Sequence, residues 1–303
     1  SEVFDQGDLL YKPGVASIFN VTTGEGAQKN FTGKTGFGEL KLFGDGDSVP
    51  ATRRDKTYTT KVVYNNYGEY VEVTKNQIED RDFEAELSEM KDLSAAANYS
   101  IDKAAMQLFN GAFATTVSVN GYNMTWYGDA KPLASTVHST VVVGGSTQSN
   151  ASSTGIKLSH DNLETARLAL ELQQTDNGLA ITMAGKTALV LPLTLEKTGM
   201  EVINSELTPE NSNNAINVFR GSMDVITSKF LDTTNGGLNT RWFLLNQGTH
   251  KLFYEARQEK RLETDVNILN KVMTFTVDAR WANYVKDWRG VWASKGDLAS
   301  YSD

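Results

Sequence analysis

"TYTTKVVYNNYGEYVEVTKNQIEDRDF", residues 57–83, carries two Tyr/Val/Thr-rich runs on either side of Asn65-Asn66-Tyr67-Gly68, then changes character near Lys75. β-branched and aromatic residues favour strands, and an Asn- and Gly-bearing break between two such runs signals a tight connection. Residues 56–74 are therefore expected to form a long β-hairpin. Its apolar load is modest on both faces. A two-stranded hairpin is marginal alone in water, so this one is expected to need a neighbour.

Downstream, residues 75–110 read as one long helix. Phe83, Leu87, Met90, Ala97, Ile101, Ala104 and Leu108 recur at three- and four-residue steps, with Glu84, Glu86, Glu89, Lys91, Asp102 and Lys103 mostly off that stripe. No Gly or Pro interrupts it, and Asn110-Gly111 supplies a stop. Upstream, residues 1–50 hold nine glycines, at 7, 14, 24, 26, 33, 36, 38, 44 and 46, and no steady apolar period. That pattern predicts an extended arm that cannot bury itself.

The second half adds a helix opened by a capping box at Asp161-Asn162-Leu163-Glu164, a buried strand at "TALVLP" (187–192) and a short helix near 194–204. A polar, flexible loop follows at 208–217. From Met223 the chain reads mostly as strands: "MDVITS", "RWFLLN", "HKLFYEAR", "KVMTFTVDARWANYV" and "DWRGVWAS". Hairpin, helices and then strands, without repeating βαβ units, make an α+β fold.

Composition narrows function. Hydrophobic content of 40% with 22% charged residues predicts a folded chain rather than a disordered one. A net charge of −8 leaves no electrostatic basis for tight nucleic-acid binding. With no cysteine, disulfides and thiolate metal sites are excluded. No apolar run reaches the roughly 20 residues that span a bilayer, so no membrane association is expected. The chain starts at Ser1 without Met, so trimming before that residue is expected.

Candidate chemistry fails motif by motif. Gly33-Lys34-Thr35 and Gly185-Lys186-Thr187 resemble P-loops, but Gln28 and Ala180 stand where the loop's first glycine must be. "GDGDS" (44–48) lacks the acidic twelfth position of a calcium loop, where Lys56 stands. His138, His160 and His250 are too far apart for a zinc-helix motif. "YGDAKPLASTVHSTVVVGGS" (127–146) puts Asp129, Ser135 and His138 close together, with no nucleophile elbow around the serine. A Gly/Ser/Thr-rich connecting loop is the expected reading. Catalytic, cofactor-binding and metal-binding residues are all expected to be absent, and no cofactor is expected.

An arm, a marginal hairpin and a long helix, all in want of partners, resemble the major capsid proteins of tailed bacteriophages with the HK97 fold. Residues 57–83 look like that family's extended loop running into its spine helix, in the form of the Mu-like major head subunit branch. "GDAKPLASTVHST" (128–140) is similar to a segment of that branch. It departs with Ala130 for the usual Gly and Ala134 for the usual aromatic. "LSHDNLETARLAL", "NAINVFRGSMDVITSKFL" and the closing "VKDWRGVWASKG" also fit.

The resemblance implies an arm over 1–36 and an extended loop over 37–74. It implies a peripheral domain from 75–158 and 249–284, and an axial domain from 159–248 and 285–303. It implies a non-enzymatic shell protein forming hexamers and pentamers around double-stranded DNA, with cement, portal and scaffolding proteins as further partners. The packaged DNA would lie nearby without sequence-specific binding. Location would be the virion capsid, assembled in the host bacterial cytoplasm. Lys56, Tyr58, Lys61, Tyr64, Tyr67, Glu69 and Tyr70 in the loop are the expected intersubunit contacts. Within the fold the alternative is an encapsulin-type compartment. Outside it, the alternative is a secreted α+β hydrolase or glycan-binding protein that uses Trp126, Trp281, Trp288 and Trp292 to stack on sugars.

Overall fold

The computed structural model describes residues 6–11, 14–52, 54–76, 83–116, 118–119, 121–142, 145–208, 216–269 and 271–301. In chain order come the one-turn helix α1 (Gly7–Leu10) and strands β1 (Asn20–Thr23), β2 (Gln28–Lys34), β3 (Lys56–Val63) and β4 (Asn65–Thr74). Next are the long helix α2 (Phe83–Asn110), β5 (Ser118–Val119), β6 (Tyr122–Thr125), α3 (His160–Glu171), β7 (Thr187–Pro192) and α4 (Glu196–Asn204). The chain closes with β8 (Met223–Ser228), β9 (Trp242–Asn246), β10 (Lys251–Asn267), β11 (Val272–Asp287) and β12 (Val291–Ser294).

The expected hairpin over 56–74 does not form. Its two strands meet at Tyr64 without a turn and pair with different partners. β3 pairs antiparallel with β2, Gln28 opposite Val63. β4 pairs antiparallel with β11, Asn65 opposite Trp281 and Gly68 opposite Asp278. A Cβ on Gly68 would lie 3.0 Å from the Val277 carbonyl oxygen. Gly68 thus serves a close backbone approach rather than a turn. The hairpin that does form is β2–β3, with residues 35–55 as its connection.

β11 is the central strand of a six-stranded sheet. Along one edge it pairs antiparallel with β10. Along the other it pairs with β4 over Val272–Trp281 and in parallel with β6 at Asn283–Tyr284. β10 outruns its apolar stretch: Glu259, Arg261 and residues 263–267 are exposed. Pairing with β11, not hydrophobicity, keeps that half extended.

Part of the N-terminal segment is buried in its own subunit, which corrects the expectation of an arm unable to bury itself. β1 pairs in parallel with β10, and Val15, Ile18 and Phe19 enter the main core. The segment is clamped to α2 by Asp102, which lies off the expected apolar stripe, and by Asn98. Asp102 accepts from the Tyr11 hydroxyl at 2.8 Å and the Gly14 amide at 2.9 Å. Asn98 donates to the Tyr11 carbonyl at 2.9 Å. α2 turns Ile101, Ala104, Ala105, Leu108 and Phe109 into the same core. Residues 77–82 at its expected start, and 209–215 of the expected polar loop, lie outside the described residues.

The second sheet, in order β12-β9-β7-β8, carries α3 and α4 around a separate cluster of Leu163, Leu170, Leu189, Ile203, Trp242 and Trp292. α3 is capped two residues earlier than the capping-box reading placed it, by Ser159 accepting from the Asn162 amide. Glu164 instead pairs with Arg167.

Where the two sheets join, Gly290 has φ +83°, and a Cβ there would meet the His250 amide nitrogen at 2.7 Å. His250 Nδ1 accepts from the Leu252 amide at 3.3 Å, which requires an unprotonated Nδ1. Burial, with the neighbouring charge of Lys251, pushes this imidazole down to about 4 from 6.5. Above pH 6.5 folded and unfolded chains both hold it neutral. Between pH 6.5 and 4 only the unfolded chain binds the proton, so stability falls as pH falls. Chemical denaturation is expected to show a loss of about 3 kcal/mol across that window. His250→Asn, which keeps an acceptor near the Nδ1 position, should flatten the profile.

Candidate functional site

The Asp129, Ser135 and His138 cluster is folded around a buried imidazole. His138 Nδ1 lies 2.7 Å from Asp129 Oδ2, and both side chains are sealed from solvent. His138 Nε2 lies 3.1 Å from Asn150 Oδ1. The same oxygen accepts from the Ser135 amide at 2.9 Å, and Asn150 Nδ2 donates to the Leu133 carbonyl at 2.8 Å. Asp129 is thus a buried acid that orients the ring. It orients a histidine that serves no nucleophile. The Ser135 hydroxyl is spent on its own turn, donating to the Val137 carbonyl at 2.9 Å. Neither ring nitrogen of His138 faces a serine, so the geometry of an acyl-transfer triad is missing.

What the cluster does is mechanical. The His138 ring stacks on Trp288 with centroids 4.2 Å apart and planes 4° from parallel. Trp288 lies between β11 and β12, where the chain passes from one sheet to the other. The Arg289 guanidinium sits 4.6 Å from the Trp288 ring. It donates to the Gln174 carbonyl at 2.6 Å and to Asp176 at 2.8 Å. Gln173 bridges the Gly290 amide and the Val291 carbonyl. These contacts pin the loop after α3 to the crossing point.

The left-handed backbone at Ala130, φ +61°, belongs to the same turn. Asp129 Oδ1 accepts from the Lys131 amide at 3.1 Å and holds the turn closed. This is the position at which the resemblance drawn from sequence expected a glycine. The substitution carries the strain expected of a Cβ at positive φ.

The remaining histidines stand apart. His160 opens α3, 4.9 Å from Phe219, and His250 sits below β1. Among the described residues, no group of three or more His, Asp and Glu side chains is placed to hold a metal ion. Among them too, no helix is long and apolar enough to cross a membrane.

A second polar centre lies at the base of the β2–β3 hairpin. The Glu255 carboxylate on β10 is fully buried. It accepts from Lys29 on β2 at 2.9 Å, from Tyr64 at 2.9 Å and from Tyr284 on β11. Burial alone pushes its carboxyl up, but the donors Tyr284, Lys29 and Tyr64 outweigh it, so the net shift is down. Phe31 and Phe253 both stack on Tyr284, at 5.3 and 5.4 Å, and Lys286 lies 4.3 Å over Phe31 and 3.9 Å over Phe253. Sequence reasoning missed this centre. Its one signal was a glutamate inside the apolar stretch "KLFYEA".

The far end of the hairpin is apolar and bare. Phe37, Leu40, Leu42, Phe43 and Val49 are all at least half exposed, Leu40 and Leu42 completely. Of the seven expected contact residues, Lys56, Lys61, Glu69 and Tyr70 are exposed. Tyr58 is half-buried, edge-on to Tyr127 at 5.6 Å, and Tyr67 is stacked on Trp281 at 4.0 Å. Tyr64 is buried inside its own subunit on Glu255. Because β3 and β4 pair apart, the seven are spread over two sheets rather than one hairpin.

A family model described as phage capsid protein matches residues 57–294. No curated protein sequence matches the chain. Solved structures do. The capsid of Myoviridae phage XM1 aligns with TM-score 0.54 at 13% identity, over 91% of this chain and 88% of that one. The cyanophage Pam1 capsid aligns with TM-score 0.54 at 14% identity, over 92% and 89%. The bacteriophage JBD30 capsid aligns with TM-score 0.59 at 13% identity, over 74% and 95%. At such identities the likeness is one of fold, and it is the HK97-like fold.

Two outcomes follow from the turn at 129–131. Asp129→Ala should cost about 3 kcal/mol in urea unfolding, because it strips a partner from a buried polar pair. Ala130→Gly should raise stability by about 1 kcal/mol in the same assay by relieving positive φ.

Proposed function

The chain belongs to the phage capsid protein family, and on that premise we propose that copies of it close into hexamers and pentamers of an icosahedral shell around double-stranded DNA. It is a major capsid protein, a structural building block and not an enzyme. The observation that carries the assembly reading is the bare tip of the β2–β3 hairpin. Five large apolar side chains between residues 37 and 49 stay exposed in the single subunit. Exposed apolar clusters of this kind mark association surfaces, and the neighbour that a homomeric shell supplies is another copy.

The arm expected over 1–36 then lends β2 to the extended loop expected over 37–74, the β4 end of that loop joins the six-stranded sheet, and α2 acts as the spine. The peripheral domain is built from 75–158 and 249–284 on the six-stranded sheet, the axial domain from 159–248 and 285–303 on the four-stranded one. The two sheets support that division, one face of the four-stranded sheet making a cluster of its own while the other joins the main core. Lys56, Lys61, Glu69 and Tyr70 are the loop and strand residues free to meet a neighbour, with Tyr58 and Tyr67 at the margin. The net charge of −8 suits a container that must not trap its DNA. The similarity of residues 57–83 and 128–140 to the Mu-like branch supports placement there. Portal, scaffolding and cement proteins complete the set of partners, and assembly takes place in the host bacterial cytoplasm before the chain ends up in the virion.

Electron microscopy of the purified protein is expected to show closed shells or capsomers, and a sharply monomeric species at high concentration would sink this reading. The double variant Leu40→Asp/Leu42→Asp should abolish assembly while leaving the thermal unfolding of the subunit unchanged. Shells of normal yield from that variant would show that the loop tip is not an interface.

A further inference from the structure

The β2–β3 hairpin forms a two-stranded sheet of its own and shares no ladder with the six-stranded sheet. At about 3.3 Å per residue its strands carry the tip roughly 25 Å from the base, so a small rotation at the base moves the tip far. What meets the body there is chiefly side chain. Lys29 and Phe31 come from β2, and Tyr64 from the joint where β3 passes into β4. The receiving surface is Glu255 and Phe253 on β10 with Tyr284 and Lys286 on β11. The Gly24 amide donates to the Ala256 carbonyl at 2.8 Å and Arg257 Nε to the Gly26 carbonyl at 3.1 Å, and further along the hairpin Tyr58 packs edge-on to Tyr127 and Asn177 donates to the Gly36 carbonyl.

The charges in this base are unevenly balanced. Lys29 and Lys286 stand over the same Phe31 ring, at 5.0 and 4.3 Å. Arg257 and Arg280 face Tyr64. Glu255 is the carboxylate that bonds into the group, and Lys29 is the cation it bonds directly. Take the carboxylate away, and two buried tyrosine hydroxyls lose their acceptor while two ammonium groups are left around one aromatic ring. The hairpin side of the cluster, Lys29, is then pushed away from the body side, Lys286.

We propose that Glu255, bonded to Lys29, Tyr64 and Tyr284, is a latch that sets the angle at which the extended loop leaves the subunit. These are positioning residues. They sit at the base of the hairpin and decide where the apolar tip is presented. The latch is a property of the single subunit. Its consequence for docking rests on the shell reading above.

The absence of native cysteine allows a clean distance measurement. Spin labels at Asp45→Cys in the tip and Lys157→Cys on the body, in the full-length chain diluted with unlabelled protein, report the loop angle by pulsed electron resonance. The parent is expected to give one narrow distance distribution. Glu255→Gln should lose that narrow component. Adding Lys29→Met to Glu255→Gln should restore it in large part, because the repulsion between Lys29 and Lys286 is removed. That rescue separates a latch from a merely structural site, where a second buried change only adds damage. An unchanged distribution in folded Glu255→Gln overturns the proposal, and so does a broad one that Lys29→Met leaves broad. If Glu255→Gln does not fold, Tyr64→Phe carries the test, with broadening expected and an unchanged distribution overturning it. Absence of shells in the microscope would remove the assembly reading and leave these distances to decide the latch alone.

Discussion

Strand β11 is the constraint on which the structure depends. Sixteen residues long, it is hydrogen-bonded to β10 along one edge and to β4 and then β6 along the other. A strand with both edges filled has no choice of register. β4 is thereby drawn away from β3, the polar half of β10 is held extended, and α2 finds the sheet on which it packs. After Asp287 the same chain crosses through Trp288 and Gly290 into β12 of the second sheet. The two halves of the subunit are thus linked by continuous backbone rather than by a flexible tether.

Buried polar groups then fix how the parts meet. Asp102 clamps the N-terminal segment to α2, Glu255 ties the loop base to the six-stranded sheet, and Asp129 with His138 and Asn150 supports the crossing at Trp288. In each case a charged side chain is taken from water and given several donors, the arrangement in which burial of a charge is tolerable and removal of one partner is costly. Such sites resemble active centres by composition. They differ in geometry, because the hydrogen bonds of Asp102, Glu255 and Asp129 run to groups that hold the fold together. Chemical inertness and structural precision are here the same fact.

The loop tip is the opposite case. Phe37, Leu40, Leu42, Phe43 and Val49 have no core in their own chain, and the subunit makes no attempt to fold the connection back over itself. A chain that spends polar networks on its joints and leaves an apolar tip bare is incomplete as a monomer. Hydrophobic association with further copies removes that surface from water without any specific chemistry.

Local pattern was enough for the elements and the class. β7 appears at the residues where an uninterrupted apolar run required it, α2 runs to the Asn110 stop, and ordered segments from residue 57 to residue 296 carry the capsid resemblance. Periodicity named Ile101, Ala104 and Leu108 of the buried face of α2 and missed Leu93, Ala105, Met106 and Phe109. What it could not give was partnership. Asn65–Gly68 has the composition of a turn, and only the presence of β11, some two hundred residues away, makes it a strand. Asp102 and Asn98 look like solvent-facing helix residues until the N-terminal segment covers them. Asp129 and His138 look catalytic in sequence and become structural once Asn150 and Trp288 close around them. Sequence determined what each segment can be, because propensity and period act over neighbouring residues. Tertiary structure decided which of those possibilities was used, because strand pairing and the satisfaction of buried polar groups depend on partners that only the folded chain brings near.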